Sequence, residues 1–153
     1  ATALAAFAAP HAAPIGRIHD GQVEFAGPPP VAAAALCPPG LGARVAHVPM
    51  VIGDTGHLLE LARATHDGVV IGAFGSGNLP PGAVPAIQRW LADGKPVVLA
   101  SRCPRGVVTP VYAFPGGGAG LVRDGVPPAG PRTSGQACME LTITLSAGVR
   151  YGA

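Results

Sequence analysis

From residue 44 onward, short apolar runs alternate with segments whose apolar residues recur at helical spacing. "RVAHVPMV" (44–51) reads as a strand. "GHLLELARATHD" (56–67) places Leu58, Leu59, Leu61 and Ala62 on one helical face. "GVVIGAF" (68–74) is a continuous apolar run, the pattern of a strand buried on both sides. "AVPAIQRWLADG" (83–94) predicts a helix with Val84, Ile87 and Leu91 aligned and Gly94 as its C-cap. "KPVVLASR" (95–102) predicts another buried strand. "SGQACMELTITLSA" (134–147) predicts a last helix on which Cys138, Leu141 and Leu145 share a face. The order strand, helix, strand, helix, strand predicts an α/β fold. Its centre is a small parallel sheet of about four strands, flanked by helices and joined by right-handed crossovers. In such sheets the functional loops lie beyond the C-terminal ends of the strands. Residues 74–79 and 101–106 hold that place.

The first third of the chain differs. In "PIGRIHDGQVEF", turn glycines flank a short alternating run, Val23-Glu24-Phe25, as in an edge strand or hairpin. "AGPPPVAAAALCPPGLG" (26–42) and "DGVPPAGPRTSG" (124–135) read as linker or loop. Glycine and proline make up over a quarter of the 153 residues, yet elsewhere they punctuate apolar runs and so read as turns.

Composition removes several functions. Only 12% of residues are charged, with a net charge of +2, and the nine arginines and one lysine are scattered. No basic stripe with interleaved aromatics supports nucleic-acid binding. No apolar run approaches the ~20 residues of a membrane-spanning helix. Cys37, Cys103 and Cys138 form no CxxC pair, and an odd count argues against a disulfide framework, so buried or partly buried free thiols are expected. His11, His19, His47, His57 and His66 form no metal-binding pattern, and no metal site is expected. The opening "ATALAAFAAPHAAP" has no basic n-region and early prolines, unlike a signal peptide, and reads as a fragment or processed chain. Free thiols and no leader point to a soluble, cytoplasmic setting.

Candidate chemistry gathers at the strand ends. "GSGN" (75–78) surrounds one amide, Asn78, with residues that permit close backbone approach and positive φ. An amide orients a ligand but supplies neither nucleophile nor base. The alternative is a turn Asn capping the helix that starts near Pro81. The stretch is neither GxGxxG nor GxxxxGK[ST], so a phosphate loop is not indicated. In "SRCPRG" (101–106), Arg102 and Arg105 offer a carboxylate clamp, or local pairing with backbone carbonyls. "PGGG" (115–118) reads as a mobile loop, with Tyr112 before it as a surface contact. His57 and Glu60 read as a surface pair. The carboxylates at 54, 67, 93 and 124 read as turn or cap residues. No catalytic constellation is visible.

Four stretches, in order and at natural spacing, resemble the C-terminal part of bacterial L-asparaginases: "AFAAPHAAPIGRIHDGQVEF", "DGVVIGAFGSGNLP", "GKPVVLASRCPRGVV", and "YAFPGGGAGL" with the closing "LTITLSAG". The resemblance implies that residues 1–25 are the tail of the N-terminal domain, 26–42 an interdomain linker and 43–153 the C-terminal domain. It implies hydrolysis of L-asparagine to L-aspartate and ammonia, with L-glutamine accepted by some members. No metal or organic cofactor is implied. Family members are dimers of dimers, with each active site between the N-terminal domain of one subunit and the C-terminal domain of its neighbour. Asn78 matches the asparagine that reaches across to the substrate; the resemblance implies substrate binding in trans by Asn78, Ser76 and Gly77, with Tyr112 and Arg102 as further candidates. The threonine nucleophile and the Thr-Asp-Lys set match nothing here, so no catalytic residue is expected in this chain. Many members have a carboxylate near positions 112–113, where this chain has Tyr112 and Ala113. An alternative reading is an asparaginase-like module that only oligomerises or binds a small amino acid.

Overall fold

The computed structural model describes residues 11–28 and 35–152. The chain divides into two compact units, residues 1–35 and 36–153. In the first, β1 (Gly16–His19) pairs antiparallel with β2 (Gln22–Phe25), with Ile18 opposite Val23. Asp20 and Gly21 join them with φ of 47° and 73°. Two successive positive φ values are the geometry that matches the twist of a two-residue hairpin.

The second unit is built on a parallel sheet in the order β3 (Val45–Pro49), β4 (Gly68–Ala73), β5 (Val97–Ser101). Every residue of β4 and β5 is buried, as a strand covered on both faces requires. Edge strand β3 instead alternates, with Ala46 and Val48 inside. The sheet has three strands, against about four expected. The nearest thing to a fourth is a parallel bridge between Leu99 and Pro128. Pro127 and Pro128 have no N–H to donate, so this segment cannot extend into a ladder.

Helices α1 (His57–Arg63), α2 (Val84–Ala92) and α3 (Gly118–Arg123) cover one face of the sheet, and α4 (Ser134–Ser146) covers the other. Val69, Ile71, Val97 and Leu99 pack towards the first layer, while Val70, Val98 and Ala100 meet Ala137 and Leu141 of α4. Helix α4 begins with a capping box between Thr133 and Gln136. Its threonine hydroxyls donate within the helix, Thr142 to the Cys138 carbonyl and Thr144 to that of Leu141, so a threonine-rich helix costs no buried donor.

Several expectations need correction. The face expected of α1 is only partly turned inward, with Ala62 packed against the core beside Leu59. Leu59 is fully buried, while Leu58 and Leu61 stay more than half exposed. The buried face of α2 holds the expected Ile87 together with Ala86 and Trp90, with Leu91 packed partly buried at its edge and Val84 only partly covered. Trp90 fits because its indole N–H donates to the Leu59 carbonyl at 2.9 Å. Glu60 pairs with Arg89 and Arg63 rather than His57. Cys37 and Cys103 are exposed, and only Cys138 is partly buried. Residues 115–118 are not a free loop: the three glycines are buried and lead into α3. Asp54, Asp67, Asp93 and Asp124 do sit at turns or helix ends.

Candidate functional site

The loop after β4 is closed on itself. Phe74 N–H donates to the Asn78 carbonyl at 2.9 Å, and the Gly77 and Asn78 N–H groups both donate back to the Phe74 carbonyl. Closing so short a loop puts Gly75 and Gly77 at φ of 46° and 107°. At Gly77 the need for glycine is also steric, since a Cβ would stand 2.7 Å from Val108 Cγ1.

Three other segments hold this loop from outside. The Thr109 N–H donates to the Ser76 carbonyl at 3.0 Å, and the Leu79 N–H donates to the Gly116 carbonyl at 2.8 Å. The Ser101 hydroxyl, at the end of β5, donates to the Gly75 carbonyl at 2.7 Å. The same oxygen accepts from the Cys103 N–H at 3.2 Å. The two strand-end loops singled out by the sequence therefore meet at Ser101. Sequence reasoning missed this residue. Its signal was a lone hydroxyl closing the apolar run "PVVLAS".

Asn78 is thus placed on a backbone with little freedom. Its side-chain carbonyl oxygen is shut off from water and accepts no hydrogen bond among the described residues. The helical turn that follows has no side-chain cap, so the capping role open to Asn78 is not used. The residue instead lines an open groove of about 460 Å³ with Ile52, Asp54, Phe74 and Phe114. A stranded acceptor of this kind costs roughly 1–3 kcal/mol until a donor reaches it.

The other candidates are arranged around this groove rather than in it. Ser76 and Gly77 form the loop behind Asn78. Arg102 donates to the Met50 carbonyl at 3.0 Å, and its guanidinium lies 4.5 Å from the centre of the Phe74 ring. It props one wall of the groove. Tyr112 is half exposed and packs at a tilt against Phe114, with ring centres 6.3 Å apart. No cluster of three metal-ligating side chains occurs among the described residues, and no helix there is long and apolar enough to cross a membrane.

A sequence profile of the Glutaminase/Asparaginase C-terminal domain matches residues 44–151. The chain is 45% identical over 93 residues, 61% of its length, to a probable L-asparaginase of Deinococcus radiodurans, and it spans 27% of that relative. Among solved structures it is similar to the thermostable L-asparaginase from Thermococcus kodakarensis, with a TM-score of 0.70 at 21% identity. That match covers 86% of this chain and 40% of the other. At that identity the likeness speaks for the fold, and it agrees with the three-layer α/β arrangement found here. The chain belongs to the glutaminase/asparaginase family, and residues 44–151 are its C-terminal domain.

Proposed function

We propose that this chain is the C-terminal part of an L-asparaginase, which hydrolyses L-asparagine to L-aspartate and ammonia. In this reading it lines the active site of a neighbouring subunit and forms part of the dimer interface. Asn78 is the residue that touches substrate. Ser76 and Gly77 give the loop its shape, Arg102 holds Phe74 against it, and Tyr112 stands at the rim. The nucleophile and its proton-transfer partners come from the N-terminal part of the enzyme. No metal or organic cofactor takes part, and L-glutamine is a second substrate to test.

The observation that carries this reading is that Asn78 lines an open groove while its side-chain carbonyl oxygen, closed off from water, meets no donor among the described residues. A substrate ammonium or amide N–H arriving from across an interface supplies that donor. Immobilising a contact before the substrate arrives lowers a barrier by prepaying orientation. The groove is bordered by apolar side chains exposed to water, Ile52 at 92% and Phe114 at 45%, as a surface awaiting a partner has.

A second reading is a module that oligomerises or binds a small amino acid without turnover. Tyr112 and Ala113 favour it, since they offer no carboxylate for a substrate amino group. Ammonia release from L-asparagine separates the two. The assay takes this chain alone, the remainder of the Deinococcus radiodurans relative alone, and their mixture. Turnover confined to the mixture is the expected result. A stable complex without turnover would leave the binding module.

A further inference from the structure

We propose that Ser101 is a positioning residue that sets Asn78, resting on the reading of Asn78 as the substrate contact. Ser101 is 5% exposed and ends β5. Its hydroxyl donates to the Gly75 carbonyl at 2.7 Å and accepts from the Cys103 N–H at 3.2 Å. It is enclosed from the far side by Gly106, where a Cβ would fall on the Ser101 oxygen.

The carbonyls of the 74–78 loop show why this contact matters. That of Phe74 is taken by the Gly77 and Asn78 N–H groups, that of Asn78 by Phe74, and that of Ser76 by Thr109. All three are backbone pairings. The Gly75 carbonyl is the one tied by a side chain. Gly75 is left-handed at φ 46°, and its carbonyl orientation fixes the peptide that begins the turn towards Asn78. Gly75 is also exposed. Removing Ser101 costs one hydrogen bond at a small side chain, too little to unfold the domain, so the fold survives while the loop gains freedom. That separates positioning from bulk stability.

The first arm is hydrogen exchange on the chain by itself. In Ser101→Ala the Gly77 and Asn78 amides lose protection by about tenfold, the size of one hydrogen bond. The amides of β4 keep theirs, and the buried fluorescence of Trp90 is unchanged. Ser101→Cys, a near-isosteric variant with a weak S–H donor, lies between. It also serves as the reporter if Ser101→Ala does not fold. The second arm is a double-mutant cycle in the reconstituted mixture. Ser101→Ala lowers kcat/KM for L-asparagine about tenfold, and it adds nothing once Asn78 is already Ala. Unchanged exchange at Gly77 and Asn78 overturns the proposal, as does a full multiplicative loss in the double variant. If the mixture is silent with every variant, the assignment of substrate fails, and the exchange arm still decides whether Ser101 holds the loop.

Discussion

Gly116 constrains the loop next to Asn78 both by its backbone angle and by lack of space. Gly116 has φ 91°, and a Cβ there would lie 2.5 Å from the Leu79 carbonyl oxygen. Its own carbonyl receives the Leu79 N–H, one residue beyond Asn78. Gly116→Ala therefore forces a left-handed alanine and a clash at once. The expected loss is about 2–4 kcal/mol, read from denaturant unfolding followed by Trp90 fluorescence. A change under about 0.5 kcal/mol would mean that the glycine run is not packed on the loop. Asn78 stood out in the sequence only through its motif and its strand-end place. Its stranded oxygen was not, because that depends on what fails to reach it. The contact of Ser101 was hidden for a related reason: its partner, Gly75, lies 26 residues away.

Helices α1 and α2 are clasped by charge. Glu60 accepts from Arg89 at 2.6 Å and from Arg63 at 3.4 Å, and Arg63 also pairs with Asp93. The hydrogen bond from Arg89 is the chief reason the Glu60 carboxyl is held below its ordinary range, against some desolvation. A depressed carboxylate contributes stability that is present above its unfolded pKa of ~4.3 and lost as pH falls through the lower folded value. Wild type should therefore lose more Tm than Glu60→Gln as pH drops from about 5 to about 3. Added salt should shrink the gap, since these side chains are partly exposed. Parallel Tm curves for the two proteins would remove the clasp from the account. The strands, α2 and α4 were legible because burial on two faces or one stripe writes a period into the sequence. Helix α3 was not. "GAGLVR" is short and carries two glycines, which oppose a helix, and contacts of Leu121 with the core decide its form.

The molecule as a whole presents more apolar surface than its core explains. Val51 and Ile52 after β3, Leu58 and Leu61 on α1, and Val111, Tyr112 and Phe114 before the glycine run are all at least 45% exposed. If this surface is the interface proposed above, the reconstituted enzyme should sediment as a dimer or larger. Ile52→Asp should shift it towards smaller species, because an unpaired charge would have to be buried at the contact. Unaltered sedimentation would place the interface elsewhere. The hairpin of the first unit is exposed along nearly all of β1 and β2, with Ile18 and Val23 uncovered. A lone two-stranded hairpin is marginal in water, so its amides should exchange rapidly in the isolated chain.

The most direct measurement is kcat/KM for L-asparagine in the mixture of this chain with the remainder of the Deinococcus radiodurans relative, for wild type and Asn78→Ala. Removing a preset contact to a charged substrate group should lower it roughly a hundredfold, with the complex still formed. An equal kcat/KM for both would show that Asn78 does not touch the substrate, and the proposed role of this domain at its neighbour's active site would fall with it.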